Sequence, residues 1–243
     1  IEEKNTSSKQ GNSLLTKKLQ LTIADPEISF QNTSFTYPQN NTREIGVHNT
    51  PKEEILAYAI ALKKYAIENG FDTTYAMLAN MGQLSNTKRM YLVNLSTMEI
   101  IDKGLVSHGR GKGASIFVKQ YSNTPGSNCT SLGKYKIMGS YKGSYGFSYR
   151  LDGLEGTNNN ALKRSIVLHS MGCIPDNEKY APACVSEGCP AVPTQFLSNI
   201  QPLIEERKEP MLFWIFDSLL QEVVIEHKNK NTNTASLVAS NKP

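Results

Sequence analysis

From Lys88 onward the apolar residues fall into short β-like runs, and the runs follow one another at intervals too short to hold a helix between them. Residues 90–95 (Met-Tyr-Leu-Val-Asn-Leu) and 99–101 (Glu-Ile-Ile), separated by the polar pair Ser96 and Thr97, predict a hairpin. Further runs at 115–118, 133–138, 146–151 and 165–169 are punctuated by Gly, Asn, Ser and Pro. Parallel neighbours need a crossover of a dozen or more residues, so spacing this tight predicts a mainly antiparallel sheet. Residues 211–216 read as a final buried strand.

Two helical patterns flank this body. Thr50, Pro51 and Glu53 form a capping-box signature: a threonine N-cap, a proline at the first helical position and a glutamate three residues after the cap. Ile55, Tyr58, Ala59, Leu62, Tyr65 and Ala66 then recur at helical spacing until Gly70 supplies a left-handed stop. Phe196, Ile200, Leu203 and Ile204 recur in the same way over residues 194–206, despite Pro202. The class expected is α+β, mainly β.

The ends differ from the middle. Residues 1–45 are rich in Asn, Thr, Ser, Lys and Gln without apolar periodicity, and residues 228–243 share that character. The division expected is a polar lead-in over 1–45, one catalytic domain over 46–227 and a polar tail over 228–243. The chain starts at Ile1 rather than a methionine, as a processed product with its export signal or anchor removed would. No run of 18 apolar residues occurs, so no membrane span is expected in it. The net charge of +4 is dispersed, without the Lys/Arg cluster of a nucleic-acid groove, so no nucleic-acid partner is expected.

Chemistry concentrates between Ser165 and Pro193. His169 ends an apolar run, and Cys189 follows Gly188 in the segment Ser186-Glu187-Gly188-Cys189. A thiol with a pKa near ~8.5 is only a few per cent thiolate at neutral pH, so a nucleophilic cysteine needs a base or cation beside it. His169 is the candidate base, Ser170 a candidate to orient its ring, and Gly188 permits the tight turn that turns backbone N–H groups toward a developing oxyanion. On spacing alone a Cys and a His this far apart also arise by chance, and a buried cysteine is commonly just a small hydrophobe. A zinc site from His169, Cys173, Cys184 and Cys189 has suitable ligand types, but gaps of ten and four residues between the cysteines match no common ligand knuckle. No metal and no cofactor are expected.

Ser186-Glu187-Gly188-Cys189 resembles the S-x-G-C signature of the YkuD-like L,D-transpeptidase catalytic domains, and Cys189-Pro190-Ala191-Val192-Pro193 is similar to the form used by one murein L,D-transpeptidase branch. Segments 106–110, 123–127, 131–135, 150–155 and 166–169 occur in the order of that branch, so the resemblance covers roughly residues 50–217. It implies a YkuD-like antiparallel β-sandwich with an N-terminal and a C-terminal helix packed on it. It also implies Cys189 as nucleophile, His169 as general base, and oxyanion donors from the Gly188 and Cys189 backbones. The substrate implied is the peptidoglycan stem peptide, joined through a thioester into 3→3 cross-links in the periplasm or cell envelope. Ser186, Glu187, Tyr141 and Arg150 are the candidate substrate-binding residues. Many members carry histidine where Glu187 stands and arginine where Ala191 stands, which puts a grip on the stem by those two side chains in doubt. Arg150, Asp152 and Glu155 either line the site or brace a loop, and Tyr141 and Tyr145 either touch substrate or pack in the sheet. His108 matches the branch but is assigned a structural or rim role.

The same Cys–His pair would serve an L,D-carboxypeptidase, with water as acceptor, or an enzyme anchoring proteins to the wall. A wall-binding module would not need the pair. A papain-like protease would carry a helix behind its cysteine, where Pro190 and Pro193 stand here. Residues 171–185 are expected to form a surface lid. In an exported protein Cys173 and Cys184 would be the best-placed disulfide, worth about 3 kcal/mol in the chain-entropy model, with Cys129 a free structural thiol. A Cys173–Cys189 pairing, which would silence the nucleophile, stays open. Removing residues 1–40 is expected to leave the thermal unfolding midpoint of the chain unchanged, and unfolding of the shortened chain would assign them to the core.

Overall fold

The computed structural model describes residues 50–113 and 118–220. The lead-in, the tail and most of the expected 115–118 run lie outside the described residues. The first helix, α1 (Pro51–Asn69), starts as the capping box requires: the Glu53 N–H donates to Thr50 Oγ1 at 3.3 Å, and the Thr50 N–H donates to Glu53 Oε2 at 2.6 Å. It ends at Gly70, whose φ of 72° lies in the left-handed region open to glycine.

Eight strands follow: β1 (Tyr75–Asn80), β2 (Met90–Asn94), β3 (Glu99–Gly104), β4 (Gly133–Gly143), β5 (Gly146–Gly153), β6 (Val167–Ser170), β7 (Ala191–Val192) and β8 (Leu212–Phe216). The second helix, α2 (Thr194–Glu205), lies between β7 and β8 in sequence. The strands form one sheet in the order β3-β2-β1-β8-β4-β5-β6-β7. The mainly antiparallel body is present, with two parallel junctions in it, β1 with β8 and β6 with β7. Both are made by strands that return after a long excursion, which is what parallel pairing demands.

Each face of the sheet has its own apolar layer. On one, Ile55, Ala59, Leu62 and Ala66 of α1 meet Ala76 and Leu78 of β1, Tyr91 and Val93 of β2, and Leu212 and Phe216 of β8. Tyr58 stacks on Phe216 with ring centroids 3.6 Å apart. On the other, Phe196, Leu197 and Ile200 of α2 pack with Met77, Leu92, Tyr135, Tyr149, Leu151, Leu168, Phe213 and Ile215. The odd and even residues of β1, β2 and β8 thus serve opposite helices.

β1 was not expected from the sequence. Tyr-Ala-Met-Leu-Ala-Asn contains no β-branched residue and is made largely of good helix formers. Pairing with β2 on one side and β8 on the other overrides that local preference.

Residues 171–185 are stapled by a disulfide between Cys173 and Cys184, whose Cα atoms are 6.2 Å apart, so the Cys173–Cys189 alternative does not occur. The segment is not wholly surface. Ile174 and Ala183 are buried with Leu105 and Ala191 in a small cluster of their own, the apolar anchor that composition alone concealed. Cys129 is a buried free thiol.

Leu62 is fully buried between α1 and the sheet. Leu62→Ala is expected to lower unfolding free energy by about 2–5 kcal/mol, from lost transfer energy plus the cavity left behind. Chemical denaturation reads this directly, and a loss below about 1 kcal/mol would place α1 outside the cooperative core.

Candidate active site

Four strand positions fall in one row across the sheet. Tyr141 of β4 is in register with Ser148 of β5, Ser148 with His169 of β6, and His169 with Ala191 of β7. Residues in register share a face, so these side chains project from the same side. Leu168 and Tyr149, one position along, enter the apolar layer on the opposite side. Strand alternation therefore aims His169 away from the main core.

The β4–β5 hairpin closes at Gly146, whose φ of 78° completes the tight turn and leaves Tyr145 at the tip. The Tyr145 ring stacks on the His169 imidazole at a centroid distance of 4.4 Å and an interplanar angle of 29°. Among the alternatives for this tyrosine, packing in the sheet is excluded, because its side chain covers the imidazole while remaining 56% exposed.

His169 is 2% exposed. Its Nδ1 lies 3.0 Å from the backbone carbonyl oxygen of Ser170, which makes Nδ1 the protonated nitrogen and leaves the Nε2 lone pair as the basic one. Ser170 thus orients the ring through its main chain rather than its hydroxyl. Burial pushes the imidazole pKa down, opposed by the Ser170 carbonyl, so His169 is neutral and able to accept a proton at neutral pH.

Cys189 precedes β7, and the parallel register of β6 with β7 sets it opposite Val167. Its Sγ accepts from the Val167 N–H at 3.5 Å and lies 3.7 Å from the Ser165 carbonyl oxygen. Among the described residues no hydrogen bond joins Cys189 to His169. The two are offset by one two-residue repeat of β6, roughly 7 Å along the strand. Burial pushes the thiol pKa up, the Val167 N–H and the Arg164 charge pull it down, and Glu187 pushes it up again.

The turn before Cys189 is tightly held. Gly188 has φ 118°, and a Cβ there would come within 2.8 Å of the Cys129 carbonyl oxygen, so both the backbone conformation and the space demand glycine. Ser186 Oγ donates to the Cys189 carbonyl at 2.6 Å and accepts the Gly188 N–H at 3.2 Å. The Gly188 N–H is therefore engaged within the turn, whereas that of Cys189 donates to no partner among the described residues. Ser107 Oγ also donates to the Cys189 carbonyl, at 3.3 Å, and accepts the Ala191 N–H at 3.0 Å.

The other candidates spread around this centre. Glu187 pairs with Arg110 at 3.1 Å on the exposed rim. Arg150 lays its guanidinium over the Tyr141 ring, 4.2 Å from the centroid. Asp152 pairs with Lys136 at 3.1 Å, and Glu155 accepts the Lys134 N–H at 3.2 Å, so these two carboxylates brace β4 rather than line the site. Sequence reasoning missed Ser107 and Arg164. Arg164 carried a visible signal, a cation just before the apolar run that ends at His169.

His108 is buried rather than on the rim. It is 1% exposed, with Nδ1 3.2 Å from Nη2 of the fully buried Arg89, so Nδ1 accepts and Nε2 carries the proton. Its backbone carbonyl accepts the Ser186 N–H at 2.9 Å, tying this buried layer to the Cys189 turn.

The family model for the L,D-transpeptidase catalytic domain matches residues 48–215. No curated protein matches the sequence significantly. Among solved structures, an L,D-transpeptidase from Mycobacterium smegmatis is similar at 12% identity and a TM-score of 0.36, over 58% of each chain. This chain thus spans less than two thirds of that one. An L,D-transpeptidase from Xylanimonas cellulosilytica is similar at 12% identity and a TM-score of 0.34, over 63% of this chain and 68% of that one. A fused Zn-dependent amidase/peptidase/peptidoglycan-binding protein from Clostridium acetobutylicum is similar at 15% identity and a TM-score of 0.33, over 70% and 65%.

The His108 pKa is pushed down to about 3 by burial first, then by Arg89 and Lys119. An unfolded chain takes up this proton near the ordinary value of about 6.5, so between the two values the unfolded state binds more protons and stability falls as pH falls. The loss expected from this group is on the order of 1 kcal/mol per pH unit below about pH 6. Denaturant unfolding at pH 7 and pH 5 should show a smaller difference for His108→Asn than for the parent chain. Equal differences would mean that His108 does not stay neutral in the fold.

Proposed function

Because this chain belongs to the L,D-transpeptidase catalytic domain family, we propose that it forms 3→3 peptidoglycan cross-links through a thioester on Cys189. The observation that carries this reading is a partly exposed thiol in a glycine turn beside the strand that carries a neutral imidazole, whose Nδ1 is held and whose Nε2 is left to act. The catalytic unit is residues 46–227, and it works on the cell wall in the periplasm or cell envelope.

In the proposed reaction Cys189 gives its proton to His169 Nε2 as sulfur attacks the carbonyl of the third residue of a tetrapeptide stem. The tetrahedral oxyanion is met by the Cys189 N–H, and by that of Gly188 when it leaves Ser186 Oγ. The C–N bond to the terminal D-Ala breaks, and His169 returns the proton to the departing amine. The side-chain amine of a second stem then attacks the thioester, loses a proton to His169 and releases Cys189. Cys189 packs against the main apolar layer and His169 points away from it, so bringing thiol and imidazole together takes a movement of the Cys189 turn when the stem binds. Tyr141, Arg150, Ser186 and Glu187 surround the approach to the pair, and Tyr145 shields the imidazole from solvent.

Mass spectrometry of the protein incubated with a defined disaccharide-tetrapeptide reports acylation and product together. Cross-linked dimers support the proposal. Tripeptide alone would instead make the protein an L,D-carboxypeptidase, transfer only to a protein amine would make it an anchoring enzyme, and absence of any acyl-enzyme would leave a wall-binding module. A carbapenem is expected to add its mass to Cys189 alone. Cys189→Ala should abolish adduct and turnover, and His169→Ala should slow both by roughly two to four orders of magnitude. An adduct on Cys129, or turnover retained by Cys189→Ala, would sink the assignment.

A further inference from the structure

Arg164 lies in the tight turn that feeds β6, just before Ser165, whose backbone is left-handed at φ 56°. Its guanidinium donates through Nη1 to the Ser122 carbonyl at 2.9 Å and to Ser131 Oγ at 3.1 Å. Nη2 donates to the Cys129 carbonyl at 2.5 Å and to Ser127 Oγ at 3.4 Å. All of these acceptors are neutral. A Cβ added at Gly188 would sit 3.2 Å from Nη2, so the guanidinium backs directly onto the residue before the nucleophile.

Among the described residues Arg164 has no carboxylate within ion-pair distance. A partly buried cation without a counter-ion is costly, and an anion is the partner it calls for. The ionisable groups that interact with it are Tyr135, Cys129 and Cys189. The Tyr135 phenol is fully buried and pushed up to about 12, so it stays neutral. Cys129 is buried, its thiol pKa is pushed up by that burial, and it donates to the Ser127 carbonyl at 3.4 Å. Cys189 is the partly exposed one of the two thiols, and the group that the proposed chemistry ionises.

We propose that Arg164 is the positioning residue of the nucleophile: its guanidinium clamps residues 122–131 behind Gly188 and is the cation against which the Cys189 thiolate forms. The inference rests on the transpeptidase reading for its purpose, though not for its geometry. His169 cannot take this part, because it is neutral at rest and becomes cationic only after receiving the thiol proton. The division of labour is then complete. Arg164 lowers the cost of charge on sulfur and moves no proton, and His169 carries the proton from sulfur to the leaving amine. The remaining groups around Cys189 are Glu187 on its own turn, which opposes ionisation and is paired with Arg110, and Tyr135 on β4, which is neutral.

The test is the pH profile of iodoacetamide alkylation of the full chain, followed by mass mapping of the Cys189 peptide. Arg164→Gln is expected to raise the apparent pKa of Cys189 by about one or more, the range for losing an opposite charge at close quarters, and to slow alkylation at pH 7 about tenfold. Arg164→Lys should recover most of both. A folded Arg164→Gln with an unmoved profile overturns the proposal, since loss of the clamp alone would change stability and not the thiol titration. Should Arg164→Gln fail to fold, Arg164→Lys decides: a profile close to the parent's agrees, and a rise as large as about one overturns it. Alkylation needs no wall substrate, so a moved profile in a protein that never acylates would reject the transpeptidase reading and leave the role of Arg164 standing. Normal cross-linking with an unmoved profile would do the reverse.

Discussion

The fold depends on the insertion of β8 between β1 and β4. Leu212–Phe216 pairs in parallel with β1 and antiparallel with β4, so the last strand among the described residues joins two otherwise separate sheets, β3-β2-β1 and β4-β5-β6-β7. Its side chains alternate between the two apolar layers, with Phe213 and Ile215 toward α2 and Leu212 and Phe216 toward α1. Each contact spans much of the sequence, so its loop-closure cost is met only when both halves are present, which makes the domain one cooperative unit rather than two.

The site inherits its rigidity from that sheet and its chemistry from the sheet's far edge. β6 is bound on one side by β5 and on the other by a β7 of only two residues, so the Cys189 turn enters the structure where regular pairing begins. A two-residue strand cannot hold a turn by itself. Ser107 and Ser186 complete it by donating to the Cys189 carbonyl, and the segment carrying Ser107 is in turn fastened by Arg89, which donates to the Val106 carbonyl from both Nε and Nη2 at 3.2 and 2.8 Å. The buried cation is therefore a brace for the Cys189 turn, and its neighbour His108 stays uncharged because burial, and then the positive charges of Arg89 and Lys119, disfavour its protonation.

Much of this was legible from residue types. The capping box of α1, the hairpin of β2 and β3, and the helical spacing of α2 all rest on interactions within a few residues, and such interactions leave their mark directly in the sequence. The turn before Cys189 was legible for the same reason, since Gly188 answers a local demand for backbone freedom. β1 was not legible, because Ala76, Met77, Leu78 and Ala79 prefer a helix and became a strand only by being flanked on both sides. The small apolar anchor under the disulfide was hidden likewise, as Ile174 and Ala183 are isolated among polar residues and find their partners Leu105 and Ala191 only in the folded chain.

By itself, then, the sequence determined the antiparallel character of the body, its two flanking helices and the glycine turn before Cys189, because each depends on period, capping or turn chemistry written over a few consecutive positions. Tertiary structure decided what those residues face. It set the register that places Tyr141, Ser148 and His169 in one row, the stacking of Tyr145 on the imidazole, the engagement of the Gly188 N–H by Ser186, and the approach of Arg164 to the nucleophile turn. These relations join segments tens of residues apart through hydrogen-bond register and desolvated charge, and neither quantity exists until the strands have paired.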